Sequence, residues 1–386
     1  MSDFEALWQA ANSGDPAQQF ALGRHYADEA DYGRSRRWLG RAARNGYHEA
    51  RVELGRQSLL GLGIAASTAD ALDAFRRAAE AGDPNGQFEL ASALYRGQGL
   101  SRDTGAAAAL LTEAARSGLP AALLNYALIV DQAGAAELGA ELLASAAAGG
   151  DARARALLGQ APPAEAAARR WESLEALSLE PAALATPQVP DPAFSLRVYP
   201  ELLTPLECGY LIETARPDLL PSHTVHPVTG ESVLDTTRTS YGWSFHPAQE
   251  DIVITRVKER LALQAGFPFD HAEPFAMLRY TAGQEYREHF DYIDPESGEA
   301  GEEISRRGQR VATTFSYLST PQAGGETEFP RFQSRVKPVA GTAVFFRNTL
   351  SDGSIDRNSL HASAPVVDGE KWLATLWFRD RPFRHE

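Results

Sequence analysis

His289 and Asp291 stand two positions apart in the segment REHFDYIDP, and their types and spacing suit a metal ion. On a strand, residues i and i+2 project from the same face, so imidazole and carboxylate can meet at one point. Alone the pair says little, because in a chain with nine histidines it also suits a solvated strand end. A second histidine from another strand would complete a set of two imidazoles and one carboxylate. Such a set leaves three coordination positions open, as oxygen activation at non-haem iron(II) requires. His361, in NSLHASAPV, is the best-placed candidate for the third ligand.

A cation follows in the same region. Lys371 opens GEKWLATLWF, where strand alternation groups it with Leu373, Thr375 and Trp377 on one face. If that face is inward, the ammonium is buried, which costs several kcal/mol unless an anion meets it. The distal carboxylate of 2-oxoglutarate is such an anion. Asp368-Gly369 is a strong two-residue hairpin signal, yet a regular hairpin there would put His361 and Lys371 on opposite faces. Pro365 cannot join a regular ladder, so a kink or bulge is expected over residues 363–365 to reset the alternation.

The elements that must position these groups are legible nearby. FAMLRYT, RVATTFSYL, GTAVFFRN and KWLATLWF read as strands of a sandwich or jelly roll, and PLECGYLIETA and EDIVITRVKERLALQAG as helices packed outside it. These stretches, with RTSYGW, LRYTAGQEYREHFDYIDP, STPQAGGETEFP and SLHASAPVVDGEKWLATLWF, resemble the catalytic domain of the prolyl 4-hydroxylase family across residues 195–383.

The resemblance implies a double-stranded β-helix (jelly roll) domain over 195–386, with iron(II), 2-oxoglutarate and O2 as requirements and ascorbate as a further candidate. It implies His289, Asp291 and His361 as iron ligands, and Lys371, Tyr280 and Thr327 as the 2-oxoglutarate site. Tyr286, Arg310 and Trp377 fall at substrate-facing or cosubstrate-facing positions. Read from the residues alone, Tyr280, Tyr286 and Trp377 equally suit packing, and Arg310 could pair with the acidic segment 294–303, expected to be a surface loop. One departure is Arg379, where the family often has histidine.

The first part of the chain has another grammar. Ala-Ala-x-x-Gly recurs with glycines at Gly14, Gly46, Gly82, Gly118 and Gly150, spaced by 32, 36, 36 and 32 residues. That period marks a solenoid of helix pairs, each glycine ending a helix. The pattern resembles Sel1-like repeats, relatives of the tetratricopeptide class. The expected organisation is therefore α+β with two domains: an all-α repeat solenoid over 1–159, a proline- and alanine-rich connector over 160–194, and the β domain.

Composition sets bounds. A net charge of −14 argues against wrapping nucleic acid and favours a neutral or basic partner. No apolar run is long enough to span a bilayer, the opening MSDFEALWQAANSGD lacks the pattern of a secretory signal, and Cys208 is the only cysteine. A cytoplasmic protein without membrane partner is expected. The leading functional expectation is hydroxylation of a prolyl residue in a protein or peptide, docked on the repeats. A small-molecule or free amino-acid hydroxylase and a non-catalytic binding scaffold are the alternatives.

Overall fold

The computed structural model describes residues 3–160, 178–180, 185–190, 194–225, 232–234, 237–246, 249–296 and 300–383. Most of the expected 160–194 connector lies outside the described residues.

The repeats fold as helix pairs. Eight consecutive helices, from Pro16–Asp28 to Ala136–Ala148, have thirteen residues each. The side chains of Asp15, Asp31, Ser67, Asp83 and Asp103 cap their first turns, accepting amides that have no partner within the helix. Gly46, Gly82 and Gly118 end helices at φ of 86°, 79° and 82°, a conformation that strains any other residue type. The signature alanines Ala42, Ala78 and Ala114 are fully buried. A Cβ on Gly86 would lie 2.5 Å from the Cβ of Ala78, so successive helices touch nearly backbone to backbone.

The C-terminal half is built on two antiparallel sheets. The larger has seven strands in the order Arg197–Tyr199, Ala343–Arg347, Arg310–Tyr317, Lys371–Arg379, Ala276–Tyr280, Tyr241–Ser244, Leu220–Pro221. The smaller runs Ser334–Val336, Thr327–Phe329, His361–Ser363, Tyr286–His289. An apolar cluster joins them, with Phe329 and Val336 from the smaller sheet and Tyr280, Tyr317, Phe346 and Leu373 from the larger.

The irregularity expected near residues 363–365 is present in a different form. The register against Tyr286–His289 shifts between His361 and Ser363. Beyond Ser363 the chain leaves the smaller sheet, and Val366–Asp368 pairs with Ala323–Gly324. Asp368-Gly369 is therefore not the turn of one hairpin ladder. The strand after it, Lys371–Arg379, pairs with Arg310–Tyr317 and Ala276–Tyr280. The proline interrupts the ladder and the glycine, at φ 87°, turns the chain from one sheet to the other. A second correction concerns the acidic segment 294–303. Its end belongs to the helix Ala300–Arg307, with Glu302 and Glu303 in the first turn and Arg306 and Arg307 in the last. Those signs complement the helix dipole.

A connector alone would leave the two halves independent, but they share one core. The helix Ile252–Ala265 is buried at every position except Leu263. On one side it meets the larger sheet; on the other it meets the repeats, and a continuous apolar cluster runs from Phe88 and Tyr126 through Val257 to Phe345 and Phe378. Polar contacts bind the same seam. The Tyr95 hydroxyl donates to Glu259 Oε2 at 2.6 Å, Arg102 ion-pairs with Glu259, Asn125 Nδ2 donates to Asp251 at 2.9 Å, and Arg256 donates to Gln132 at 2.9 Å. Replacing Glu259 by alanine removes the carboxylate that Tyr95 and Arg102 share, leaving them the Leu179 carbonyl and the more distant Glu180. We expect Glu259→Ala to lower stability by about 2–4 kcal/mol in urea denaturation, discounted for the partial exposure of Arg102. Far-ultraviolet circular dichroism, dominated by the repeats, and tryptophan fluorescence should shift to the same new midpoint. Separate midpoints, with only one moved, would contradict a shared core.

Candidate metal and anion site

The three expected ligands converge. The strand Tyr286–His289 ends at His289, and Asp291 follows just beyond that end. His361 opens the neighbouring antiparallel strand and pairs in register with His289. The donor atoms of His289, Asp291 and His361 lie within 4.8 Å of one another, the one such group of three among the described residues.

Hydrogen bonding fixes how the imidazoles face. His289 Nδ1 lies 2.8 Å from the Arg287 carbonyl and His361 Nδ1 lies 2.9 Å from the Ser359 carbonyl. A carbonyl only accepts, so each Nδ1 carries the proton and each Nε2 presents its lone pair. The two Nε2 atoms stand 3.8 and 3.7 Å from the Asp291 oxygens, too far for hydrogen bonds and compatible with aim at a common centre. Burial, then the neighbouring His361, pushes the His289 pKa down to about 3, so its ring is neutral, as a ligand must be. Burial alone would raise the Asp291 carboxyl, but the two histidines, Arg310 and the Thr313 hydroxyl hold it below its usual range. A divalent ion fits this donor set.

Lys371 is fully buried and makes no ion pair among the described residues. Its Nζ donates to Ser363 Oγ at 2.7 Å and lies 5.5 Å from the ring centres of both Tyr280 and Tyr317. Burial pushes its pKa down to about 7, with Glu326 opposing weakly. Thr327, paired in register with Ser363, accepts from the Tyr317 hydroxyl at 2.7 Å. These groups form a small polar socket inside an apolar cluster, suited to a carboxylate.

A cavity of about 570 Å³ has His289, Asp291, His361, Tyr280 and Thr327 in its wall. Its floor includes Leu373 and the cross-strand pairs Thr375 with Phe315 and Trp377 with Thr313. Tyr286 stacks on His289 with ring centres 3.4 Å apart, and Trp377 and Arg310 also line the cavity. Among the described residues Arg310 pairs with Glu273 and not with the acidic segment. Its guanidinium grips Glu273 through two hydrogen bonds of 2.6 and 2.8 Å and lies 4.3 Å from the Trp377 ring centre. Glu303 of that segment pairs instead with Arg379, which also binds Glu273.

Residues 275–379 match the 2OG-Fe(II) oxygenase superfamily. The chain is 38% identical over 200 residues to Prolyl 4-hydroxylase 13 of Arabidopsis thaliana, covering 48% of this chain and 70% of that protein. The chain belongs to the prolyl 4-hydroxylase family. Among solved structures it is similar to the viral collagen prolyl hydroxylase of Paramecium Bursaria Chlorella virus-1, at 26% identity, 48% of this chain, 96% of that one and a TM-score of 0.38. The helical half is similar to a Sel1 repeat protein from Oxalobacter formigenes, at 25% identity, 38% of this chain, 64% of that one and a TM-score of 0.33.

Within this prolyl 4-hydroxylase half, sequence reasoning missed Ser363, Tyr317, Thr313 and Glu273. Three had a usable signal: Ser363 stands two residues after His361, and Thr313, Phe315 and Tyr317 alternate along one strand face. Glu273, far from Arg310 in sequence, had none.

Lys371 gives a pH prediction. Below about pH 7 the empty socket already carries its cation, so affinity for 2-oxoglutarate should be flat. Above that, binding must take up a proton, and affinity should fall by up to about tenfold per pH unit until the raised pKa of the bound state is reached. Lys371→Ala should lose about 100-fold or more in affinity and with it this dependence. Calorimetric titration across pH checks both; an unchanged slope in the variant would place the anion elsewhere.

Proposed function

We propose that this chain is an iron(II)- and 2-oxoglutarate-dependent dioxygenase that hydroxylates prolyl residues of a protein or peptide. The observation that carries the reading is a two-histidine, one-carboxylate cluster in the wall of a cavity, with a fully buried lysine directly behind that wall, bonded to its lining residue Ser363 and in no ion pair among the described residues. Membership in the prolyl 4-hydroxylase family supports the choice of substrate.

In this reading His289, Asp291 and His361 hold the metal, and Lys371 with Tyr280 and Thr327 holds the distal carboxylate of 2-oxoglutarate. When bound, iron supplies the activation of O2 that couples decarboxylation of 2-oxoglutarate to oxygen insertion into a C–H bond, leaving succinate and CO2. The residues orient and enclose. Lys371 fixes one end of the cosubstrate, and the cross-strand floor keeps water from the reacting end. Tyr286 and Trp377 offer aromatic faces to a proline ring, while Arg310, its charge met by Glu273, holds the Trp377 indole in place. Ascorbate belongs to the proposal as an auxiliary reductant, to be tested by omission.

Docking of the protein substrate on the repeats is a further part of the proposal. Among the described residues none that lines this cavity precedes Pro221, and the shared core takes up repeat residues from Phe88 onward. The helices from Pro16–Asp28 to Thr68–Glu80 are therefore the ones available for it. No helix among the described residues is long and apolar enough to cross a membrane. A cytoplasmic setting, with neither membrane nor nucleic acid as partner, remains part of the proposal.

Purified protein supplied with iron(II), 2-oxoglutarate and cell proteins should add one oxygen to prolyl residues, read by peptide mass spectrometry. His289→Ala, Asp291→Ala and His361→Ala should each abolish succinate release while keeping the native melting profile, since each deletes one of three protein ligands. Full turnover by any folded triad variant would sink the assignment. Oxygen gained only on small molecules would redirect it to the small-molecule alternative.

A further inference from the structure

Behind Asp291 lies a directed chain of two buried polar side chains. The Thr313 hydroxyl donates to Asp291 Oδ2 at 2.8 Å, and Asn348 Nδ2 donates to Thr313 Oγ1 at 3.0 Å. The polarity has one solution. A carboxylate can only accept and an amide nitrogen can only donate, so the threonine proton is committed to Asp291 and its lone pair to Asn348. Thr313 is 1% exposed and Asn348 is fully buried. Polar groups in a core are costly unless satisfied, and here Asn348 Oδ1 has no hydrogen-bond partner. Packing alone would favour an apolar residue at such a position.

Both residues are held by strands, not by a loop. Thr313 is central in Arg310–Tyr317, in register with Phe346 on one side and Trp377 on the other. Asn348 directly follows Ala343–Arg347, and its amide donates to the Val311 carbonyl. Asp291, by contrast, sits beyond the end of its strand, where the backbone constrains the carboxylate less.

We propose that Thr313 and Asn348 are positioning residues that hold Asp291 as a one-oxygen ligand. This rests on the metal reading of the triad. Oδ1 lies 3.8 Å from His289 Nε2 and Oδ2 lies 3.7 Å from His361 Nε2, so both oxygens lie toward the cluster, and the Thr313 hydrogen bond on Oδ2 alone makes Oδ1 the better donor and disfavours chelation by both. That matters because a keto acid needs two positions and O2 a third, while two histidines and a chelating carboxylate would leave only two of six. Outer hydrogen bonds of this kind typically change metal affinity by about 10–100-fold when removed.

The test uses cobalt(II) as a probe on the whole 386-residue chain, because its visible spectrum reports coordination number without turnover. Thr313→Val keeps the shape and removes the donor. It should weaken cobalt(II) binding by about 10–100-fold and shift the spectrum, with little change in melting temperature. Thr313→Ser should restore both affinity and spectrum. Asn348→Ala should weaken binding in the wild-type background and add nothing in the Thr313→Val background, since it acts through the hydroxyl. Wild-type affinity and spectrum in Thr313→Val would overturn the proposal, as would an equal Asn348→Ala effect in both backgrounds. Failure of the wild-type protein itself to bind cobalt(II), or unchanged binding in His361→Ala, would instead overturn the metal reading.

Discussion

The pairing of His361 with His289 across two antiparallel strands is the constraint on which the site depends. A slip of one residue would turn one imidazole to the opposite face of the sheet and separate it from the other. On the strand's other edge Ser363 pairs in regular register with Thr327, and its hydroxyl accepts from Lys371. One irregular strand thereby contributes to both the metal cluster and the anion socket. The buried lysine then enforces the chemistry: a cation enclosed by Tyr280, Tyr317 and Ser363 is tolerable mainly if an anion arrives to meet it.

The same logic of enclosure governs the larger assembly. The helix Ile252–Ala265 carries Arg256, Lys258, Glu259 and Arg260, all buried, and could not lie so deep with one neighbour only. Lys258 and Arg260 find Glu250 and Glu207 within the C-terminal half, whereas Arg256 and Glu259 find Gln132, Tyr95 and Arg102 on the repeats. The repeats thus complete the outer layer of the sheet that carries the cavity on its other face.

Much of this was legible in sequence because it rests on periodicity. Alternation exposed the strands and grouped Lys371 with Leu373, Thr375 and Trp377; the repeat period exposed the helix pairs and their glycine ends. What escaped depends on contacts distant along the chain. Asp368-Gly369 has the local chemistry of a hairpin, but the alternative partner of Val366–Asp368 is a strand some forty residues earlier, invisible to a local rule. For Arg310 the acidic segment is the partner near in sequence, while Glu273 reaches it from across the sheet. The burial of Ile252–Ala265 could not be read either, since its charges look like a solvated face until both neighbours are in place.

If one site holds metal and 2-oxoglutarate together, each improves the site for the other. Anaerobic calorimetric titration of 2-oxoglutarate into the full-length protein, with and without iron(II), tests it most directly. One cosubstrate should bind per chain, much more tightly with iron(II) than without it. Equal affinity in both conditions, or no binding in either, would contradict it.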